Sequence, residues 1–329
     1  MREESCVNNH PSEETAMASG RGMSRRLRAL VTDGGIHVLP GVYNAITAKI
    51  AESAGFEVVG VSGYGVSASL IGQPDVGLTT CTEIVMVSGY VVDAVNVPVI
   101  ADANTGFGNA INTMRTTEQF IKAGVAGIHI EDQVAPKRCG HVAGKEIIPL
   151  EEAVGKYRAA VKVRNELDPD FILIARTDAR GVAGGSVDEV IRRANAYVEA
   201  GVDVIFPEGL LDAGEIGRVC RAVKAPVLYN RTGISANLSL NELKAPGVTI
   251  VANANGALRA ASRAMWDYLH TFKTEDAALE RRLKEELKGH PVGDFHAFVG
   301  FPAIRKLEEE FLPREDVLRK YEGSLGFKP

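Results

Sequence analysis

Eight short apolar runs, each followed by a helical segment, constrain this chain more than any other feature of its sequence. They cover residues 36–42, 57–62, 97–104, 126–131, 171–177, 202–207, 225–230 and 248–253. Most are near-continuous, as in EVVGV, VPVIA and FILIA. Strands buried on both faces read this way, and such strands belong to parallel sheets. The intervening segments carry helix signals. Thr80 with Glu83, and Ser186 with Glu189, have capping-box spacing. Ala54-Gly55, Ala123-Gly124 and Ala200-Gly201 each stand just before a strand, where glycine supplies the left-handed turn that ends a helix. Pro98 and Pro226 mark two strand starts. Eight strands with helices between them, over residues 36 to about 272, predict an α/β fold of the (β/α)8 TIM-barrel type. The alternative is an open doubly wound sheet. No G-x-G-x-x-G follows the first strand, which removes that fold's commonest cofactor reading.

Composition narrows the partners. The net charge is -5 and the pI about 5.9, so there is no electrostatic basis for a dedicated nucleic-acid binder. No uninterrupted apolar stretch is long enough to span a bilayer; residues 84–101 are the richest and contain Ser88, Asp93 and Asn96. The first 22 residues lack an apolar core, so they are not a secretory signal. We read residues 1–25 as a disordered leader, with Met17 and Met23 both ahead of the first patterned segment. Four dispersed cysteines (Cys6, Cys81, Cys139, Cys220) form no disulfide framework, which points to a reducing, cytoplasmic setting. Three helical segments follow the eighth run; residues 26–272 read as the barrel, and residues 273–329, which hold the last two segments, read as an extension for oligomer assembly. The middle one is charged nearly all round and reads as a solvated or linking helix. The third places Phe295, Phe298, Phe301 and Ile304 at helical spacing.

Chemistry concentrates where such a barrel keeps its active site, at the C-terminal ends of the strands. The second run ends in Ser62-Gly63-Tyr64, the third in Asp102-Ala103-Asn104, and the fourth carries His129, Glu131 and Asp132. The fifth ends in Arg176-Thr177-Asp178, the sixth in Glu208 and the seventh in Asn230. Asp102 and Glu131 alternate with apolar neighbours, so both side chains can face the barrel mouth. Oxygen ligands and amides suit Mg2+ or Mn2+ better than zinc. A salt-bridge network with Arg176 is the plainer reading of the same carboxylates. After the fourth run, residues 133–148 form a loop longer than usual for this fold. It contains Lys137-Arg138-Cys139-Gly140-His141, and cations around a thiol are expected to lower its pKa. Together these suggest a lid that delivers an acid/base thiol.

On PGVYNAITAKIAESAGF, VSGYGVSAS, ADANTGFGN, GIHIEDQ, PKRCGH, ARTDA, IFPEG and FVGFPAIRKLEEEF, residues 39 to about 311 resemble the isocitrate lyase / phosphoenolpyruvate mutase superfamily. The resemblance implies a barrel whose last helix is exchanged between subunits of a homotetramer, and a bound Mg2+ or Mn2+. It implies Asp102 as direct metal ligand, with Glu131, Asn104 and Asp75 around the ion's waters. It implies Ser62, Gly63 and Tyr64 as donors to a 2-oxo acid portion. Glu208, Asn230 and Thr232 would meet the rest of the substrate, as would Arg138, Gly140 and His141 of the lid. Cys139, Arg176, Tyr43 and His129 are the candidate catalytic side chains. The family motif is usually Asp-x-Asp-Thr-Gly; here the second Asp is Asn104, which implies weaker metal binding.

Cys139 and the absence of a large insertion favour a lyase of a 2-hydroxy dicarboxylate, such as a substituted malate or methylisocitrate. That reaction gives pyruvate or a related 2-oxo acid through an enolate. An oxaloacetate hydrolase and a phosphonate-forming phosphoenolpyruvate or carboxyphosphonoenolpyruvate mutase are the neighbouring activities. A non-catalytic binding protein on the same barrel is the alternative outside enzymology. The 231–238 loop, with Arg231, is expected to set the substrate. Arg231 reads equally as a contact to a distal carboxylate and as a solvated loop residue.

Overall fold

The computed structural model describes residues 20–327. The expected leader lies outside them as far as residue 19, and residues 20–25 begin helix α1 (Gly20–Thr32). Eight parallel strands then close into one barrel in chain order: β1 His37–Val42, β2 Val59–Val61, β3 Val99–Asp102, β4 Gly127–Glu131, β5 Ile172–Thr177, β6 Val204–Pro207, β7 Val227–Asn230 and β8 Val248–Asn253. β1 pairs with β8, so no edge is left open, and the open-sheet alternative falls. The strands are those read from the sequence, seven of the eight trimmed by one or two residues at one or both ends. The intervening helices are α2 Ala45–Ser53, α3 Gly63–Leu70, α4 Cys81–Ala94, α5 Ala110–Lys122, α6 Leu150–Leu167, α7 Val187–Glu199, α8 Ala213–Ala222 and α9 Leu240–Lys244. Thr80 and Glu83 make the full capping box. Ser186 caps α7, but Glu189 turns instead to Arg192 and Arg193, so only half of that box forms. Gly55, Gly124 and Gly201 all have positive φ, as their helix-ending role requires.

Successive side chains on a strand face opposite sides. Outward positions such as Val99, Ile128, Ile130 and Leu173 pack under the helices. Inward positions Val58, Ile100, Ile172, Ile174, Val204, Leu228 and Ile250 fill the barrel, with Leu27 and Val31 of α1 joining them. A Cβ on Gly127 would come within 3.1 Å of Leu27, which shows how closely α1 seats against the strands. One step further toward the C-terminal ends, the inward positions change character. Ile100 is followed by Asp102, Ile174 by Arg176, Phe206 by Glu208 and Leu228 by Asn230. The same period that builds the core therefore delivers a polar layer at one mouth.

Contacts divide the chain into one unit ending at Ala260 and a second beginning at Ala261; the sequence reading sets the barrel's end at 272. α10 spans Gly256–Glu275, followed by α11 Ala277–Glu286, α12 Phe295–Val299, α13 Phe301–Phe311 and α14 Arg314–Tyr321. The third C-terminal segment, read as one helix, is two: Gly300 adopts φ 104° and Pro302 opens α13. Phe295, Phe301, Ile304 and Phe311 are exposed in the single chain. No helix among the described residues is long and apolar enough to cross a membrane.

Candidate active site

The polar layer surrounds a cavity of about 70 Å3 lined by Ser62, Tyr64, Asp75, Asp102, His129, Cys139, Gly140, His141, Arg176 and Asn230, with apolar Leu39, Val61, Phe206, Leu228 and Ala252 beneath. Sequence and fold converge here, because strand ends separated by most of the chain meet at one mouth.

Asp102 ends β3 and is tightly held. It accepts from the Asn104 amide at 2.9 Å and the Gly63 amide at 3.2 Å, and His129 Nδ1 lies 3.6 Å away. Burial pushes its carboxyl upward, but His129, Lys137 and Arg176 outweigh that and hold it below the usual range. The N–H of Gly63, expected to donate to substrate, donates to Asp102 here, and a Cβ at this position would strike the carboxylate. Ser62 lines the cavity while its hydroxyl caps α3. Glu131 is fully enclosed, 3.3 Å from Arg176 Nη1, yet neither of its oxygens has a hydrogen-bond partner. Burial pushes its carboxyl up to about 8 despite Arg176 and Lys137. Asn104 sits at φ 47°, a conformation Asn tolerates better than most residues. Its carbonyl accepts from the Glu131 amide at 2.8 Å, while both side-chain polar atoms are buried without partners.

Arg176 is the electrostatic centre. Asp178 grips it at 2.9 and 3.1 Å, and Glu131 and Glu208 stand at 3.3 and 3.6 Å. Behind it, Asp132 takes bonds from Thr177, the Asp178 amide, Tyr197 and Arg193. Asp132 thus belongs to the scaffold. Across the mouth, Asn230 donates to Glu208 at 3.3 Å and accepts from Thr232 at 2.8 Å.

The long loop after β4 lies down on this layer. Gln133 bridges Ile147, and the Gln133 side chain holds the Arg138 backbone with two 2.9 Å bonds. Lys137 turns inward to Asp75 at 2.6 Å, Arg138 is exposed, and Cys139 is buried in the cavity wall. The chain alternates here and sends Arg138 outward, away from the cavity lining. Gly140 rests on Arg176 and Glu208: a Cβ there would be 2.3 Å from Nη2 and 2.9 Å from Glu208 Cγ. His141 meets Thr232 at 3.1 Å. Lys145 reaches the Gly140 carbonyl and Asp178. The expected lowering of the Cys139 pKa is reversed: burial raises the thiol, outweighing the His141 amide, Lys137 and Arg176. Tyr43 is buried against Gly65 outside the lining. Arg231 donates to the Leu238 carbonyl and also lies outside it.

Several site residues escaped the sequence reading. Lys137 and Lys145 are carried inward by the lid's folding, which no short-range pattern signals. Asn255 lines the cavity with a buried, unpartnered Oδ1; the polar Asn253-Ala254-Asn255 at the end of the last strand is the available cue.

The donors fit a divalent cation. Asp75, Asn104 and Glu131 each carry a buried oxygen with no hydrogen-bond partner, and neighbouring cations hold Asp102 in its charged form. Among the described residues no three His, Cys, Asp or Glu side chains converge as a closed cage. A hard cation that keeps much of its water needs no such cage.

A closed parallel barrel with carboxylates, an arginine and a lid-borne thiol at its C-terminal mouth defines a TIM-barrel enzyme. The family profile described as phosphoenolpyruvate phosphomutase matches residues 27–273, and the chain belongs to that phosphoenolpyruvate mutase / isocitrate lyase superfamily. It is 41% identical over 288 residues to 2,3-dimethylmalate lyase of Eubacterium barkeri, covering 87% of this chain and 97% of that protein. It is 39% identical over 303 residues to 2-methylisocitrate lyase of Aeropyrum pernix, covering 91% and 94%. Oxaloacetate acetylhydrolase bound to 3,3-difluorooxalacetate superposes with a TM-score of 0.80 at 31% identity over 89% of this chain and 97% of the other. Phosphonopyruvate hydrolase in complex with oxalate and Mg++ gives 0.77 at 30% over 88% and 99%.

Proposed function

We propose that this enzyme is a carbon–carbon lyase that cleaves a substituted malate of the 2,3-dimethylmalate kind to pyruvate and a carboxylic acid. The observation that carries the reading is Cys139, buried in the cavity wall on a loop whose next residue rests on Arg176 and Glu208. A mutase has no carbanion for such a thiol to protonate. Apolar Leu39, Phe206 and Leu228 offer surface to alkyl substituents.

The substrate hydroxyl gives up its proton and becomes the carbonyl of pyruvate. The bond from that carbon to its neighbour breaks, and the electron pair passes to the departing fragment as an enolate. The Cys139 thiol donates a proton to that carbon and is afterwards reprotonated. His129, whose ring lines the cavity and whose pKa burial lowers, is the acceptor for the hydroxyl proton. Asp102, with Asp75, Asn104 and Glu131 near it, would hold Mg2+ or Mn2+, which supplies positive charge to the oxo-acid oxygens as the enolate forms. Arg176 adds fixed positive charge, oriented by Asp178. The closed lid excludes water, which would otherwise protonate the carbanion without control.

A homotetramer with exchanged C-terminal helices, in the cytoplasm, completes the proposal. The exposed Phe295, Phe301, Ile304 and Phe311 support the assembly. The test is a panel of 2,3-dimethylmalate, 2-methylisocitrate, isocitrate, citramalate, oxaloacetate and phosphonopyruvate with Mg2+, read as 2-oxo acid release. Activity on 2,3-dimethylmalate or a close malate is the expected result. Oxalate release from oxaloacetate alone would instead establish the hydrolase reading, which the similarity to oxaloacetate acetylhydrolase favours.

A further inference from the structure

Lys145 brings a charge into the fold without lining the cavity. Its side chain is 2% exposed. The ammonium has two partners: the carbonyl of Gly140, next to Cys139, and Asp178 Oδ1 at 3.0 Å. Asp178 Oδ1 also accepts from Arg176 Nη2 at 3.1 Å. One carboxylate oxygen thus joins the lid lysine to the central arginine. The space is fitted, since a Cβ on Gly181 would lie 2.7 Å from Lys145 Nζ.

The bond to Gly140 lies within the loop, but the bond to Asp178 differs from the rest of the loop's bonds. The Gln133 contacts to Arg138, the Gln133–Ile147 bridge and the Val142-to-Cys139 turn are internal to the loop and move with it. Lys137 with Asp75 and His141 with Thr232 tie the loop to the barrel, but neither touches both the lid tip and Arg176's partner. A buried ammonium is stable only while its hydrogen bonds are met. Lifting the loop takes the ammonium off Asp178 and removes one of the two. Burial of the lysine, seating of the thiol and the environment of Asp178 therefore change together.

We propose that Lys145 is a positioning residue that pins the lid with Cys139 over the cavity and, through Asp178, sets Arg176 when the lid is down. The proposal does not depend on the substrate assignment, because its main readout is chemical labelling.

The test uses the full chain with Mg2+ and iodoacetamide, with modification of each cysteine followed by peptide mass spectrometry. Lys145→Met keeps the apolar stem and removes the ammonium. Cys139 should be alkylated roughly tenfold faster, the scale set by losing hydrogen bonds to a charged group, while Cys81 and Cys220 keep their rates. With any substrate that turns over, kcat should fall with KM within about threefold, and Lys145→Arg should recover part of the loss. Should Lys145→Met not fold, Gly181→Ala crowds the ammonium from the barrel side and must give the same selective rise. An unchanged Cys139 rate, or one rising in step with Cys81 and Cys220, overturns the proposal.

Discussion

Replacing Asn104 with aspartate should weaken the metal-free protein and tighten its hold on Mg2+, both through one added charge. The side chain is buried, has no partners, and sits between the backbones that carry Asp102 and Glu131. Its φ of 47° is open to aspartate as well, so Asn104→Asp introduces charge with little new backbone strain. Two unit charges roughly 5 Å apart at an effective dielectric of about 20 repel by about 3 kcal/mol. Without metal, that repulsion from Asp102 should lower Tm by roughly 6–12 °C for a domain of this size. Toward a dication the same charge is attractive and gains twice over. Even after desolvation takes most of it, an affinity gain of at least about tenfold is expected, near 1.4 kcal/mol. Added Mg2+ at about a thousand times its Kd returns about 4 kcal/mol by mass action, so the variant should recover most of its lost Tm. Isothermal titration with Mg2+, and thermal unfolding with and without it, measure both halves. Equal Mg2+ affinity in the two proteins, together with equal metal-free Tm, would refute the electrostatic argument.

Other consequences can be checked directly. Gly140→Ala sets a methyl 2.3 Å from Arg176, so the lid should stay raised; turnover should fall by roughly 10²–10⁴, the usual contribution of a positioned acid, with Tm nearly unchanged. Cys139→Ser should lose a comparable factor in kcat while substrate still binds, measured as the KM-against-kcat split. Burial raises the Cys139 thiol above its ordinary 9.0. The donor form is the protonated one, so it persists up to that raised pKa and is lost only beyond it; the alkaline limb of turnover should lie above pH 9, and a limb near pH 7 would argue for another acid. Asp132→Asn breaks the buried contacts to Arg193 and Tyr197 and should cost roughly 3–5 kcal/mol, read by chemical denaturation.

The barrel was legible because its signal is short-range and repeated. Each strand announces itself by an apolar run, each helix end by a cap or a glycine, and eight repetitions leave little freedom. The polar layer was legible for a related reason: a charge placed two residues beyond a buried isoleucine must surface inside the mouth. Loops break that logic. Nothing near Lys145 reveals that its ammonium will reach Asp178, and alternation through Lys137, Arg138 and Cys139 decides which side chains enter only once the loop has folded down. The Cys139 pKa was misjudged because sequence shows neighbouring charges but not desolvation, which dominates here. Nothing in the sequence signals that the Gly63 amide meets Asp102, a partner distant along the chain.

The way α1 seats Leu27 and Val31 among the barrel's inward side chains bears on traffic rather than on stability. With the floor occupied, reactant enters and both fragments depart through a single aperture, and that aperture is the one the thiol loop covers. Every catalytic cycle therefore includes an obligatory uncovering, and the slower of the bond cleavage and the loop's lift caps the rate. Raising solvent viscosity would slow such an enzyme only if the lift, not the cleavage, is the slower event.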